Sequence, residues 1–398
     1  MMTVALVGGR LQGIEAAFLA GEAGYHRILI DKTAATPASG LCEEIHVLDV
    51  AECLTNAAAA RAVKAVMARA DIVIPTLENT EALAALEKLS AECGVPLAFD
   101  FDAYRITSSK LRSDRLIREL GVPAPVYDPA AGPCVVKPSE GSGSEGVRVF
   151  ETPAEAAGYL GAFPAAEREN MIVQEYLEGP SYSVEVIGCP GRYRTYAITE
   201  IHVDESHDCN RVTTPCDVPA RAEAAFRADA VRLAEALRLR GIMDVEAILS
   251  GGRMKVLEID ARLPSQTPAA IFASTGINML SELVTLFTGT GERWLGNNGI
   301  NAAEQENSQP LPAKNPAQFA AYENIAVSKG GAVSLGEHIM SGEKPLRLYR
   351  DFCHADFALT ACRPGVSEYG GIFINRADTP ELLETKRALM YNELAAQS

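Results

Sequence analysis

The 398-residue sequence predicts an α/β protein that begins with a parallel β-sheet and continues into further lobes. Apolar strand-like runs alternate with Ala-rich helical stretches over the first hundred residues, a pattern typical of a parallel sheet covered by helices on both faces. The length exceeds what one hydrophobic core usually fills, so two or three domains are expected. A hydrophobic content of 47% with 22% charged residues is typical of a folded globular chain.

The charge and the cysteine pattern exclude several classes of protein. A net charge of -16 argues against nucleic-acid binding, because proteins of that class present basic clusters. The nine cysteines include no CxxC pair, so neither a disulfide framework nor a zinc site is expected. We see no signal-peptide pattern and no apolar run of about 20 residues, so we expect a cytoplasmic protein without membrane contact. The sequence leaves open whether the chain forms a homo-oligomer.

Residues 1–106 are predicted to form a Rossmann-like domain. Its first turn, GGRLQG, precedes a helix, and amides at such a helix start favour a carboxylate or a phosphate. With Asp31 ending the next strand, the turn also resembles a dinucleotide fingerprint, although its spacing is not G-x-G-x-x-G. A dinucleotide-dependent dehydrogenase is therefore an alternative. Glu78 follows the fourth strand, where ligands of such sheets bind, and is equally explained as an acid at a helix start. The strands of this domain are predicted at 4–7, 28–30, 45–48, 72–74 and 96–99.

Residues 107–176 are predicted to form a central lobe. A helix starts at Lys110 and ends at GVPAP, where Gly and Pro are stop signals. The strand VVKP then brings Lys137 to an edge where its ammonium can meet phosphate oxygens. A Gly/Ser loop follows, which is not a Walker A motif and which by itself is more often a plain turn, but Lys110 and the acidic hairpin described below favour phosphate binding. Its backbone amides are expected to contact phosphates at Ser142, Gly143 and Ser144.

The segment QEYLEG is predicted to link the central lobe to a C-terminal lobe, residues 177–398. An extended linker can offer backbone groups to an adenine edge, while Tyr176 and Leu177 line the ring. Nearby polar side chains would then face the ribose and the phosphates. The nucleotide contacts predicted in this stretch are Glu175, Tyr176, Leu177, Glu178, Ser183 and Glu185.

Residues 241–260 are predicted to form a hairpin around a Gly-Gly turn. Residues two apart on a strand share a face, so Glu258, Asp260 and Arg262 project together, and Glu246 can join them from the paired strand. Facing carboxylates repel unless a cation lies between them, and hard oxygen ligands suit Mg²⁺ held together with substrate phosphates. The alternative is an exposed hairpin with a solvated acidic face.

The order of these features resembles the ATP-grasp superfamily, whose members join a carboxylate to an amine through an acyl phosphate. Within it, the chain resembles the ligases of pyrrolysine biosynthesis, which join 3-methyl-D-ornithine to the ε-amine of L-lysine. The likeness runs to about residue 278. It is carried by GGRLQGIEAAFLA, DAYRITSSK, EIHVDESHDCNRVTTP, GIMDVEAI and EIDARLPSQTPAAIFASTGIN. Ser181 and Asp260 depart from the wider superfamily, which often has Glu and Asn there; the first leaves the ribose ligand open and the second adds negative charge.

The resemblance implies an ATP-grasp fold after the Rossmann-like domain, with ATP and Mg²⁺ as cofactors. It implies that Lys110 and Lys137 hold the ATP phosphates and that Arg262 acts with Lys137 in catalysis by stabilising an acyl phosphate. The implied metal ligands are Glu246, Glu258 and Asp260. The partners are small molecules: ATP, L-lysine, and 3-methylornithine or D-ornithine.

The two amino-acid substrates are assigned to separate places. The lysine carboxylate is expected at the first turn, with Arg10, Leu11, Gln12 and Glu78. A diamino acid brings ammonium groups that need acids, which favours the segment 200–215, although such a loop is also explained as solvated surface. Glu323 also has two explanations, as a strand acid or as an amine ligand. The ornithine set is Glu205, His207, Asp208, Asp244, Arg262, Ser265, Gln266, Thr267 and Glu323, and Asp31 is a candidate second nucleotide contact.

A polar connection at 291–316 leads to short predicted strands and a C-terminal helix from Pro380. The group that deprotonates the lysine amine is not identified. Two further alternatives remain: another amino-acid or peptide ligase, and a ligand-binding protein without catalysis.

Overall fold

The structure, a computed structural model, describes residues 1–141, 146–289 and 318–396. Three β-sheets with helices packed on them make up these residues. The predicted phosphate-binding residues Ser142, Gly143 and Ser144 lie outside the described residues, as does the polar connection at 291–316.

The N-terminal sheet has four parallel strands in the order β3-β2-β1-β4. Successive residues of its central strand enter different cores, with Val4 and Leu6 on one face and Ala5 and Val7 on the other. Both faces are therefore covered, as the near-continuous apolar strands predict. The expected fifth strand at 96–99 is reduced to one bridge between Val73 and Leu97. The elements are β1 (Thr3–Val7), α1 (Leu11–Glu22), β2 (His26–Asp31), β3 (Glu44–Val47), α2 (Ala57–Met67), β4 (Ile72–Pro75), α3 (Thr80–Cys93), α4 (Phe101–Thr107) and α5 (Lys110–Glu119).

A small antiparallel sheet follows, in the order β6-β5-β7. Cys134 and Val136 of β5 pack against Ala156 in the helix that covers one face. Because side chains alternate along a strand, Lys137 projects from the opposite face. The elements are β5 (Cys134–Pro138), β6 (Arg148–Phe150), α6 (Pro153–Leu160), α7 (Ala165–Arg168) and β7 (Met171–Glu175).

The third sheet has 11 strands, nine of them in the order β13-β12-β8-β10-β11-β14-β18-β17-β16. Strand β9 pairs with β8, and β15 pairs with β14. The strands are β8 (Ser181–Cys189), β9 (Arg192–Thr195), β10 (Thr199–Val203), β11 (Cys209–Thr214), β12 (Gly241–Ser250), β13 (Arg253–Asp260), β14 (Phe319–Ser328), β15 (Gly331–Ser334), β16 (Arg347–Phe352), β17 (Ala355–Thr360) and β18 (Tyr369–Ala377).

Among the described residues, five helices pack on this sheet, and α9 and α10 also contact α1 of the N-terminal domain. Phe18 of α1 packs edge-on against Phe272 of α9, with 6.0 Å between the ring centroids. Both rings belong to one core that also holds Val4 and Leu6 of β1. That shared core fixes the first turn relative to the large sheet. The helices are α8 (Ala220–Leu237), α9 (Thr267–Thr275), α10 (Met279–Thr288), α11 (His338–Ser341) and α12 (Pro380–Ala396).

Residues 200–215, expected as a polar loop, form most of strands β10 and β11. Ile201 is paired with Val212 across the two strands, so apolar side chains alternate with the polar ones that suggested a loop. Only the turn between the strands remains a loop.

Within the described ranges, no single helix has both the length and the apolar character needed to cross a membrane. Helices α9 and α10 meet that test only as a pair bent by 103°.

Candidate active site

A cleft of about 420 Å³ brings together side chains from the two antiparallel sheets and from the start of α1 and the loop after β4 in the N-terminal domain. Most of the predicted site residues line it. They are Leu11, Gln12, Glu78, Lys110, Lys137, Glu175, Tyr176, Leu177, His207, Asp208, Asp244, Glu246, Glu258, Asp260, Arg262, Ser265, Gln266 and Thr267.

The acidic hairpin of β12 and β13 forms one wall of the cleft. In its register Glu246 is opposite Glu258 and Asp244 is opposite Asp260, so four carboxylates lie on one face in two pairs separated by the Val245–Ile259 pair. Burial raises the pKa of Glu246 and of Asp260 to about 7, and Glu258 acts on both in the same direction. All of these carboxyl groups can therefore be ionised together only when a further cation compensates their charge.

The hairpin fits a magnesium ion that is shared with phosphate oxygens. Among the described residues, no three acidic, His or Cys side chains form a metal-binding group by themselves. Mg²⁺ does not need such a group, since one or two carboxylates plus substrate phosphates suffice. Lys110 Nζ lies 2.8 Å from Glu258 Oε1, which shows that a cation is accommodated at this carboxylate. Glu246, Glu258 and Asp260 remain our proposal for the metal ligands, with phosphate oxygens completing the coordination.

Arg262 lies between the hairpin and the N-terminal domain. Its Nη2 is 2.9 Å from Asp260 Oδ2, and its Nε is 2.7 Å from Glu78 Oε1. Burial by itself lowers the pKa of Arg262, but Asp260, Glu78 and Asp244 raise it well above the ordinary value. The guanidinium thus stays charged, and it is placed to meet an anionic group in the cleft.

Lys137 lines the cleft with little solvent exposure. Its Nζ donates to the Leu257 carbonyl at 3.4 Å. Burial lowers its pKa, while Glu258 and Asp114 act in the opposite direction. A buried ammonium without a bidentate partner gains most from a phosphate, because that contact restores the lost charge solvation.

An apolar section continues from Lys137 towards the hinge. Val135, Leu177, Ile248 and Leu257 line it together with half-exposed Tyr176, which suits a flat aromatic base. The carboxylate of Glu175 is paired with Lys255, so a nucleotide would meet that residue mainly through its backbone.

The far end of the cleft is built around Glu337, which was not predicted from the sequence. Ser265 Oγ and Gln266 Nε2 both donate to Glu337 Oε2 at 2.7 Å. Nearby, Asp244 is buried, and its Oδ1 accepts no hydrogen bond from the described residues. Two carboxylates with spare acceptor capacity at one end of a cleft suit a ligand ammonium.

Asp208 lines the same end but already has partners. Its Oδ2 accepts from the backbone N–H of His338 at 3.2 Å and is 2.8 Å from His338 Nδ1. A Cβ at Gly336 would clash with this carboxylate at 2.0 Å. Asp208 therefore holds the segment that carries Glu337 in place.

The first turn lies on the other side of Arg262. Gln12 Nε2 donates to Glu78 Oε1 at 2.8 Å, and the same oxygen contacts Arg262. Leu11 and Gln12 start helix α1. The backbone N–H groups at a helix start have no partner within the helix, and this end of the helix carries the positive end of its dipole. This arrangement suits a carboxylate at the amides with an ammonium near Glu78.

Several predicted residues lie outside the cleft lining. Glu323 is wrong as an amine ligand, because Arg387 pairs with both of its oxygens at 2.7 Å and Tyr391 donates to one of them. Ser183 and Glu185 are on the cleft face of β8 but are buried, and Ser183 donates to Glu185 at 3.1 Å. Arg10, Glu178 and Glu205 are exposed away from the lining.

Asp31 is occupied by the backbone of its own domain. Its Oδ2 accepts from Gly9 N and its Oδ1 from Thr33 N, both at 2.8 Å. These bonds explain the acid at the end of β2 without a ribose, although they do not test the second nucleotide contact.

We expect the free energy of unfolding to fall as pH rises from about 5 to about 8 without ATP or metal. Burial raises the pKa of Glu15 to about 8 and that of Glu185 to about 7, so the folded protein keeps protons that the unfolded chain releases. Each group contributes a slope of up to about 1.4 kcal/mol per pH unit. Urea unfolding across this range measures the slope, and Glu15→Gln should make it shallower. Equal stability at both ends would contradict the buried acids.

Known proteins match both the sequence and the fold. The family model described as "ATP-grasp domain" matches residues 107–266. The 3-methyl-D-ornithine–L-lysine ligase of Methanosarcina acetivorans is 34% identical over 342 residues, which cover 86% of this chain and 84% of that protein. The corresponding ligase of Methanosarcina barkeri is 33% identical over the same length.

Solved structures agree in fold at lower identity. An L-amino acid ligase from Bacillus licheniformis superposes with a TM-score of 0.66 at 16% identity, covering 100% of this chain and 98% of that one. Biotin carboxylase from Campylobacter jejuni gives a TM-score of 0.69 at 14% identity, covering 98% and 91%. These two show the fold alone.

The match to these ligases identifies the family of the chain. A ligase family also rules out the dinucleotide-dependent dehydrogenase that the first turn left open. The chain belongs to the ATP-grasp ligases, in the family that these Methanosarcina ligases represent, and is an ATP-dependent enzyme that forms amide bonds.

Proposed function

We propose that this ligase joins 3-methyl-D-ornithine, or D-ornithine, to the ε-amine of L-lysine, as a step of pyrrolysine biosynthesis in the cytoplasm. The relatives named for that reaction support the choice of substrates. The observation that carries the proposal is the position of Arg262, which lies between the acidic hairpin and Glu78, with Glu337 at the far end of the same cleft.

The two ends of the cleft suit two different amino acids. The end with Glu337 and Asp244 offers carboxylates for the ammonium groups of a diamino acid. The end with Leu11 and Gln12 offers helix-start amides for a carboxylate, and Glu78 lies beside them. Arg262 lies between these ends, so the ornithine carboxylate and the lysine amine would meet there.

The first step transfers the γ-phosphoryl group of ATP to an ornithine carboxylate oxygen and releases ADP. Lys110 and Lys137 would hold the phosphates, and Arg262 would bind the carboxylate that attacks. Magnesium on Glu246 and Glu258, with Asp260, would supply neutralisation of phosphate charge when bound. The product is a mixed anhydride whose carbonyl carbon is open to attack.

In the second step the lysine ε-nitrogen attacks the acyl carbon, the C–O bond to phosphate breaks, and the nitrogen loses a proton. The amine must be neutral to attack. This requires a proton acceptor or desolvation in the part of the cleft beside Arg262, where the two substrates would meet. Arg262 would stabilise the charge on the departing phosphate. Water must be excluded until then, because it would hydrolyse the acyl phosphate.

Product analysis tests the proposal. We expect the protein with Mg·ATP, D-ornithine and L-lysine to form one coupled product per ADP, with the mass of both amino acids less one water. Fragmentation should place the new amide on the lysine side-chain nitrogen. Coupling of other amino acids in preference would indicate a different ligase, and ligand binding without ADP release would indicate a binding protein.

The two subsites should separate by mutation. Gln12→Ala removes the partner of Glu78 and should raise the KM for lysine about tenfold, the effect of one lost charged hydrogen bond. Ornithine hydroxamate, trapped with hydroxylamine when lysine is omitted, should stay near the wild-type level. Glu337→Gln should instead reduce the trapped hydroxamate. If both variants affected lysine use alone, the assignment of the two substrates would be reversed.

A further inference from the structure

Helix α9 begins at the ornithine end of the cleft, and its first turn is capped by a residue of another helix. The N-cap position is Gln266, whose side chain makes no capping hydrogen bond. An N-cap side chain normally accepts from the backbone N–H two or three residues later. Here Glu15 Oε1, on helix α1, accepts from Ala269 N at 2.6 Å.

The other groups of this turn are accounted for. Thr267 N donates to Ser265 O at 2.9 Å, and Ala270 N donates to Gln266 O at 3.1 Å. Pro268 has no N–H to satisfy. Glu15 therefore supplies the acceptor that the first turn of α9 still needs, from a residue more than 250 positions away in the chain.

Because Glu15 caps the helix, the side chain of Gln266 is available to face the cleft. Its Nε2 donates to Glu337 Oε2 at 2.7 Å, and its Oε1 accepts from the Cys209 thiol at 3.1 Å. The Gln266 backbone has φ 72°, a left-handed conformation that non-glycine residues rarely adopt. Such a conformation persists only where the surrounding contacts hold it, and it is often found at functional sites.

We infer that Glu15 is a positioning residue for the acyl-donor subsite: it caps α9 from α1 and so holds Gln266 and Ser265 against Glu337. The identification of the ligand as ornithine rests on the proposed function. The position of Glu15 adds a link to the lysine end, because Leu11 and Gln12 lie one turn earlier on the same helix. Both subsites are thus fixed to one rigid element.

Two substitutions separate the acceptor role of Glu15 from its volume. Its surroundings raise the pKa of Glu15 to about 8, so the side chain is largely neutral at neutral pH. Glu15→Gln keeps the shape, the neutral state and an oxygen that can accept from Ala269 N. Glu15→Met keeps a similar length but has no comparable acceptor.

The test combines amide hydrogen exchange with steady-state kinetics. In Glu15→Met we expect faster exchange at Ala269 and a KM for D-ornithine raised about tenfold, with the KM for ATP within about twofold of wild type. Glu15→Gln should remain close to wild type in all three. Loss of Ala269 protection with an unchanged ornithine KM would overturn the inference, and so would a Gln variant as impaired as the Met variant.

A second buried link of α1 is the matched control. Asn278 Nδ2 donates to Leu19 O at 2.7 Å but does not contact the cleft. Asn278→Ala should lower the melting temperature and leave the ornithine KM unchanged. An equal rise in that KM would show that any loosening of α1 has the same effect, which would overturn a specific role for Glu15.

If Glu15→Met does not fold, Gln266→Gly tests the same contacts. Glycine tolerates the positive φ, so only the side chain is lost. The ornithine KM should rise while Ala269 stays protected, and an unchanged KM would overturn the inference. Wild-type protein that does not use ornithine would instead refute the proposed function, which keeps the two failures distinct.

Discussion

Glu258→Gln should reduce ADP release about a hundredfold or more and leave the fold intact. The side chain is in the cleft rather than in a core, so its replacement by an isosteric amide opens no cavity. The change removes a charged oxygen at the place where we propose that phosphate charge is neutralised, and loss of one such contact costs about 10²–10³ in rate. It also removes one of the two partners of Lys110 Nζ, which lies 2.8 Å from Glu258 Oε1 and donates to Gly141 O at 2.7 Å.

Glu282→Gln is the matched control for this change. Glu282 has a similar exposure and pairs with Arg194 at 3.4 Å, away from the cleft lining. ADP release, followed with a coupled assay at saturating Mg²⁺, should be unaffected in this variant. Near-normal release by Glu258→Gln under the same conditions would show that the hairpin is only an acidic surface.

Arg262→Met should both destabilise the protein and abolish acyl phosphate formation. It leaves Asp260, Asp244 and Glu78 without the cation that compensates them. Removing one partner from a buried charged group costs about 3–5 kcal/mol. The decrease in the free energy of unfolding should be smaller at low pH, because protonated carboxyl groups no longer need a cation.

Urea unfolding and hydroxylamine trapping measure the two effects of this change separately. Arg262→Lys keeps a positive charge, so it should recover much of the stability but little of the trapped product, since lysine lacks the bidentate geometry. Arg227→Met is the control for the loss of a buried arginine outside the cleft. The pH dependence of its free energy of unfolding should differ from that of Arg262→Met. A stable, active Arg262→Met protein would refute the central position of Arg262.

The acidic hairpin could be predicted because its signal is local. Alternation over β12 and β13 places Glu246, Glu258 and Asp260 on one face, and the Gly-Gly turn sets their pairing. The position of Lys137 follows from alternation on β5 in the same way. The parallel N-terminal sheet is also a matter of local pattern, since its apolar strands alternate with helices.

Alternation identifies a face but does not reveal what covers it. Ser183 and Glu185 share the cleft face of β8, yet the start of α9 lies over them, and Thr267 acts on the pKa of Glu185. Glu323 was ambiguous for the same reason, because its partner Arg387 comes from the C-terminal helix. These contacts depend on tertiary packing between distant segments.

Glu337 shows the limit of reasoning from motifs. It is 71 residues from Gln266 in the sequence, and nothing in its own segment distinguishes it from a surface acid. Only the return of the chain after β15 brings it to the loop that carries Ser265 and Gln266. Glu15 was overlooked for a similar reason, since an acid inside an Ala-rich helix has no sequence signature of a cap.

The central claim is that the ornithine carboxylate is activated and the lysine amine attacks it. Its most direct test is to incubate the protein with Mg·ATP, D-ornithine, L-lysine labelled in its carboxyl group, and hydroxylamine, and to identify the hydroxamate by mass. We predict that ornithine hydroxamate accounts for the ADP when lysine is omitted, and that ornithine hydroxamate and the coupled product together account for it when lysine is present. A hydroxamate that carries the lysine label would contradict the account, because lysine would then be the acyl donor.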